Sequence, residues 1–251
     1  PVPNEDNIEQ VKIQLTEWLE AGDVAAFIYE PLVQGAAAMQ IHEAIHLEQL
    51  LRLTQQYGVL NIADEVMTGF GKTGTHFASD QLEIAPDMIC LSKALTAGVC
   101  PMAITSCTQK VYDAFYNDAI TSGFFHGHTY SANPLGCTAA LAGIELLQSD
   151  KIRQNIKRIA TSQKEFSEYI QDHPNVATTR HLGVIFALEI ESEMDRYGSI
   201  RDKLFQFFMD RGVFLRPLGN VIYILPPFVI SDIELEKIYE TIEMALDELD
   251  F

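Results

Sequence analysis

The sequence predicts an α/β protein, with a mostly parallel sheet interleaved with helices over residues 1–148 and a smaller α+β domain over residues 149–251. Three observations predict it. In the first part, strand-length apolar runs alternate with stretches of helical length and mixed polarity. Strands separated by helices favour parallel pairing. After about residue 149 the rhythm changes to long helices set between isolated strand candidates.

Taken in order, Ile8–Glu20 reads as a helix, Ala25–Tyr29 as a strand and Ala44–Tyr57 as a second helix. Val59–Ala63, Met88–Leu91 and Met102–Thr105 are further strand-length runs. Glu30, Asp64, Glu65 and Lys93 follow these strands, so a parallel sheet gathers them along the edge where ligands of open α/β sheets bind. In the second part a helix runs from about 149 through Gln171, a strand covers Val184–Ile190 and a helix covers Ile200–Arg211. Strands are expected near 213 and 222. Ser231 and Asp232 offer N-cap oxygens to a last helix that reaches Leu249.

Composition narrows the partners. The chain has 251 residues, and 47% hydrophobic content is enough to bury a sizeable core. Seventeen Lys and Arg against 35 Asp and Glu leave a net charge of −18, which repels nucleic-acid phosphates and anionic lipid. No stretch reaches the roughly 20 apolar residues of a membrane helix, and the polar start Pro1–Gln10 is unlike a signal sequence, so the cytoplasm is the expected compartment. Cys90, Cys100, Cys107 and Cys137 lack a CxxC pair and sit among apolar or small residues, which predicts reduced, buried thiols and neither a disulfide nor a zinc cluster.

Two short patterns are set aside. His42, Glu43 and His46 spell HExxH, but zinc catalysis needs a third protein ligand and none stands nearby; two histidines at a solvated helix start account for it. Gly69, Gly71 and Gly74 spell GxGxxG, but they do not follow the strand directly and no helical period comes after them. A glycine loop with positive backbone angles is the expectation there.

The spacing that carries chemistry is Asp64 followed 29 residues later by Lys93. Pyridoxal phosphate catalysis needs a lysine amine to hold the aldehyde and move a proton, and a carboxylate to keep the pyridine nitrogen protonated. Alone, one Asp and one Lys are weak evidence. Their context is EPLVQGAAAM at 30–39, IADEVMTGFGKTG at 62–74, APDMICLSKALTAG at 85–98 and HGHTYSANPLGC at 126–137.

In order and spacing these four segments resemble the class III, or subgroup II, pyridoxal-phosphate-dependent aminotransferases. The resemblance implies the fold type I transferase architecture: the first 148 residues would be the C-terminal portion of the large cofactor-binding domain, and the remainder the small C-terminal domain. It implies that Asp64 partners the pyridinium, that Lys93 forms the Schiff base and that Thr129 reaches the cofactor phosphate from a neighbouring subunit of a homodimer with a shared active site. Within the class, FFHGHTYSANPLGC and GVFLRPLGNVIYILPPFVI resemble the biotin-pathway branch. That branch moves an amino group from S-adenosylmethionine to 8-amino-7-oxononanoate, giving 7,8-diaminopelargonic acid.

By the same resemblance Arg216 receives the acceptor's carboxylate, a task suited to a planar guanidinium fork, although a structural ion pair would also account for an arginine. Tyr223 matches a position near the substrate pocket, but a core-facing aromatic on an alternating strand has the same signature. Gly127 and His128 flank Thr129 and could offer N–H groups to phosphate or substrate; His128 stands where other members often carry proline. Lysine as donor, an ω-amine or ornithine transaminase, an internal amino transfer and an inactive remnant stay open as alternatives.

The family's first half is missing here, including a glycine and serine phosphate cup and an aromatic residue stacked on the ring. Pro1 is not an initiator methionine, so the chain reads as a piece of a longer polypeptide and by itself is expected to bind pyridoxal phosphate poorly.

Overall fold

The computed structural model describes residues 2–192, 195 and 197–251, so Pro1 lies outside the described residues. The chain divides into two compact units: one comprises residues 1–33, 42–71 and 75–148, the other residues 34–41, 72–74 and 149–251.

The first unit opens with α1 (Ile8–Glu20), whose Ile8, Leu15 and Leu19 recur along one face and are buried. Then come β1 (Ala26–Tyr29) and α2 (Ala44–Gln56); the chain between them carries the short ribbon strands β2 (Val33–Gln34) and β3 (Gln40–Ile41), with residues 34–41 belonging to the second unit. Helix α2 stops at Tyr57 because Gly58 takes a φ of 72°, while Gly58 and Val59 donate back to Gln55 and Thr54. β4 (Leu60–Asp64), β5 (Met88–Leu91) and β6 (Ile104–Cys107) complete a sheet ordered β1-β4-β5-β6. β1, β4 and β5 run parallel, with Tyr29 opposite Ala63 and Asp64 opposite Cys90. β6 is antiparallel to β5, and the connection between them, residues 92–103, holds the turn Lys93–Thr96 but no crossover helix.

α3 (Gln109–Asp113) and α4 (Pro134–Gln148) follow. α4 escapes a periodicity search because PLGCTAALAGIELLQ is apolar nearly all round, without a 3.6-residue period. Only Gly136, Ala140 and Leu147 are buried, while Leu135, Leu141 and Leu146 are exposed, as are all four residues of β6. The expectation of buried thiols is corrected by the same bareness: all four cysteines are free, Cys107 on β6 is exposed, and the other three are half-buried.

The second unit contains α5 (Asp150–Ile170), β7 (Val176–Leu182), β8 (Ile185–Ile190), α6 (Ser199–Asp210), β9 (Val221–Ile224) and α7 (Asp232–Glu248). Its sheet is antiparallel in the order β7-β8-β9. Phe186 and Leu188 of β8, with Ile222 and Ile224 of β9, pack on Phe166, Leu204, Phe208, Ile242 and Leu246 from the three long helices. Phe166 stacks on Tyr239 with centroids 4.2 Å apart. Ser231 and Glu234 form a capping box at the start of α7.

The strand expected near 213 does not form. Val213 donates to Phe208 O in the turn that ends α6, and Pro217 has no N–H to give a ladder. β7, by contrast, carries VATTRHL, too polar to read as a buried strand. It is held by pairing with β8 and by Arg180, whose Nε and Nη2 donate to Met39 O (3.0 Å) and Ala38 O (2.7 Å) while Nη1 pairs with Glu189 (3.2 Å). Those carbonyls belong to two successive residues at positive φ, 61° and 56°.

Candidate active site

Asp64 ends β4, and the Glu65 N–H extends the ladder by donating to Cys90 O at 3.0 Å. Two strand ends therefore stay joined up to the point where their chemistry begins. Asp64 is half-buried and its Oδ1 accepts the Val66 N–H at 3.0 Å, which fixes the carboxylate's rotamer. Three residues beyond Cys90, the chain turns through Lys93–Thr96. Lys93 has a φ of 44° and Ala97 a φ of 50°, so left-handed residues bracket the turn, a conformation that persists only when its surroundings enforce it.

Those surroundings are specific. Ser92 Oγ donates to Met102 O at 2.8 Å, Thr96 Oγ1 donates to Cys100 O at 2.5 Å, and α4 lies so close that a Cβ on Gly143 would stand 3.2 Å from Leu95 O. Lys93 itself is exposed. An exposed amine on a turn that begins three residues past the strand partner of a strand-end carboxylate supplies the two group types that a Schiff-base cofactor with a pyridine nitrogen requires.

Gly127, His128 and Thr129 are exposed in the turn that leads into α4. The His128 N–H donates to Ser131 Oγ at 3.0 Å and its Nδ1 accepts the Tyr130 N–H at 3.1 Å, so His128 braces the turn on which Thr129 stands. Asn133 Oδ1 accepts the Gly136 N–H at 2.8 Å and starts the helix. Glu30 is half-buried just past β1.

Arg216 and Tyr223 belong to the second unit. Arg216 is exposed on the irregular stretch before β9, and no ion pair holds it among the described residues. Tyr223 is in register with Ala187, and Ala187 with Arg180, so the three share a sheet face. Strand alternation puts that face opposite Phe186, Leu188, Ile222 and Ile224, and Tyr223 therefore does not face the core.

The same unit holds a residue that pattern reading passed over. Lys72 is half-buried, its ammonium lies 4.5 Å from the Phe228 ring centroid, and burial pushes its pKa down to about 8. A cation desolvated to that degree marks a candidate anion contact. Its only sequence signal was a lysine between Gly71 and Gly74.

The two patterns set aside resolve in local terms. Gly71 and Gly74 have φ of 92° and 94°, as expected of a glycine loop, and a Cβ on Gly69 would meet Glu65 O at 2.9 Å. HExxH is not on a solvated helix start. His42 precedes α2, is only 6% exposed, and accepts the Leu32 N–H on Nε2 at 3.1 Å. The amide of Leu32, itself at a φ of 64°, needs that acceptor. Among the described residues no group of three His, Cys, Asp or Glu is placed to hold a metal.

Burial, helped by His46, pushes His42 down to about 4 from 6.5. Above pH 6.5 His42 is neutral folded and unfolded; between 6.5 and 4 only the unfolded chain takes the proton. Stability is therefore lost as pH falls through that window, by up to about 3 kcal/mol. Urea midpoints of wild type and His42→Gln are expected to differ progressively less from pH 7 to pH 4; a constant difference would contradict this.

Residues 2–246 match the family model for class-III aminotransferases. The chain belongs to the class III aminotransferases. It is 46% identical over 233 residues to the adenosylmethionine-8-amino-7-oxononanoate aminotransferase of Synechococcus elongatus, covering 92% of this chain and 54% of that protein. With the protein of that name from Geobacter sulfurreducens it shares 38% identity, covering 90% and 51%. The chain thus spans about half the length of the curated relatives it matches. Among solved structures it is similar to the adenosylmethionine-8-amino-7-oxononanoate aminotransferase of Methanocaldococcus jannaschii, with TM-score 0.89, 27% identity and coverage of 97% and 58%. It is equally similar to an (S)-enantioselective omega-transaminase of Thermomicrobium roseum, with TM-score 0.89, 27% identity and coverage of 98% and 57%. The class III fold therefore accounts for the parallel strands β4 and β5, with Asp64 at the end of the first and Lys93 on the turn that follows the second. No helix among the described residues is long and apolar enough to cross a membrane.

Proposed function

We propose that the polypeptide containing this chain is a pyridoxal-phosphate-dependent transaminase that moves an amino group from S-adenosylmethionine to 8-amino-7-oxononanoate. The observation that carries the reading is Lys93 on its constrained turn, three residues past the strand partner of Asp64, in a chain 46% identical to a relative bearing that name. When bound, the cofactor supplies an electron sink for the carbon that loses or gains the amino group.

This chain's residues do the rest. Lys93 Nζ would hold the cofactor through its aldehyde carbon and, when free, would carry the proton moved in the 1,3 shift. Asp64 holds a proton on the ring nitrogen by its negative charge. Thr129 offers a hydroxyl to the phosphate of the neighbouring subunit's cofactor, flanked by Gly127 and His128, so the functional form is a homodimer. Residues 1–148 serve as part of the cofactor-binding domain and 149–251 as the small domain. In the second half-reaction Arg216 receives the acceptor's carboxylate and Tyr223 lines its pocket.

Visible spectra of the full-length protein, before and after S-adenosylmethionine is added without acceptor, test this. The cofactor band is expected to give way to the amine form; a band that persists removes S-adenosylmethionine as donor. The similarity to omega-transaminases favours one second reading, an ω-amine or ornithine donor, to be tried in that event. Arg216→Met is expected to raise KM for the acceptor about 100-fold, with a smaller effect on the donor half-reaction. Equal losses with both substrates would place Arg216 outside the acceptor site.

A further inference from the structure

Glu65 is fully buried, and none of the ion pairs among the described residues includes it. A carboxylate there is costly unless its oxygens are fully used. They are: Oε2 accepts from Thr68 Oγ1 (2.5 Å) and the Ala78 N–H (3.1 Å), and Oε1 from the Ser79 N–H (2.7 Å) and Ser79 Oγ (2.6 Å). Thr68 lies on the outgoing limb of the glycine loop, Ala78 and Ser79 on its return. The main chain of Glu65 is equally occupied, donating to Cys90 O and accepting the Gly69 N–H, both at 3.0 Å. One residue thus ties together the end of β4, the end of β5 and both limbs of the loop. Val66, whose N–H holds the Asp64 carboxylate, is its neighbour.

We infer that Glu65 is a positioning residue: its buried carboxylate locks the β4 end so that Asp64 is presented to the cofactor's ring nitrogen in one orientation. This rests on the transaminase reading of Asp64. Strand alternation sends the Asp64 and Glu65 side chains to opposite faces, so Glu65 acts through the backbone and the Val66 bond rather than by contact with the cofactor. Gln at this position keeps the size but turns one acceptor oxygen into a donor facing donors, leaving buried N–H or O–H groups unsatisfied.

The test uses the full-length protein as wild type, Glu65→Gln and Asp64→Asn. Hydrogen exchange is read on the cofactor-free form; the dissociation constant of pyridoxal phosphate and the pH profile of the bound cofactor's absorbance are read on the loaded form. Glu65→Gln is expected to speed exchange at Val66, Gly69 and Ser79 by about 10-fold with α5 unchanged, and to weaken cofactor binding by about 10-fold. The absorbance transition governed by the ring nitrogen should move to lower pH by about one unit, toward that of Asp64→Asn.

Faster exchange with unchanged affinity and pH profile would make Glu65 merely structural and overturn the inference, as would no change at all. If Glu65→Gln fails to fold, Thr68→Val and Ser79→Ala each remove one hydroxyl donor and are expected to weaken cofactor binding about threefold in the same direction. No effect in either on affinity or pH profile also overturns it. If wild type binds no cofactor, or Asp64→Asn binds it as wild type does, the transaminase reading itself falls and takes this inference with it.

Discussion

Lys93→Ala in the full-length protein is expected to lower multiple-turnover transamination by about 10⁴-fold or more, because it removes both the amine that anchors the cofactor and the group that moves the proton. The loss should not come from unfolding. Lys93 is exposed, and alanine tolerates a φ of 44° no worse than lysine, so the denaturation midpoint is expected to stay within the small range of surface substitutions. Steady-state rates, single-turnover amplitude and a urea melt on the same preparation separate the possibilities. An absorbance change when amino donor and pyridoxal phosphate are added, without sustained turnover, fits the assignment. Sustained turnover in the variant would remove Lys93 from the mechanism.

Gly183→Ala is the substitution expected to cost the most stability, about 4 kcal/mol. Gly183 is the first residue of the two-residue connection between β7 and β8, where a φ of 57° suits the twist of the hairpin. A methyl group there would stand 2.4 Å from the Thr73 carbonyl carbon and 2.5 Å from Gly74 N, both backbone atoms that cannot rotate away. Val184, the next residue, donates to Lys72 O at 3.0 Å, so any retreat of the hairpin breaks a buried hydrogen bond. Gly212→Ala is the control. Its φ of 69° is as demanding, yet the nearest atom is Lys237 Nζ at 3.3 Å, the end of a flexible side chain, and a loss of about 1 kcal/mol is expected. Equal urea midpoints for the two variants would show that backbone angle alone, not close approach, decides the cost.

Elements whose burial is one-sided were legible in the sequence. The helix read at Ile8–Glu20 forms with those bounds, Met88–Leu91 pairs as the strand it resembled, and Ser231 caps the final helix, because each declares itself through local periodicity or a local hydrogen bond. Asp64 and Lys93 stood out as candidates through the motifs around them. By itself the sequence determined the alternation of elements, the acidic surface and the family.

Only the tertiary structure decided what depends on neighbours distant in the chain. α4 hid behind uniform apolarity, and β7 was too polar to be noticed until Arg180 and β8 gave its side chains and ladder partners. His42 looked like a solvated histidine, yet it is buried against the Leu32 amide ten residues back. Tyr223 could be assigned to one sheet face only by its register with Ala187 and Arg180. Glu65 and Lys72 differ from any surface acid or base only in their burial. Local pattern records what each residue is, whereas desolvation, register and close approach arise from segments brought together by folding.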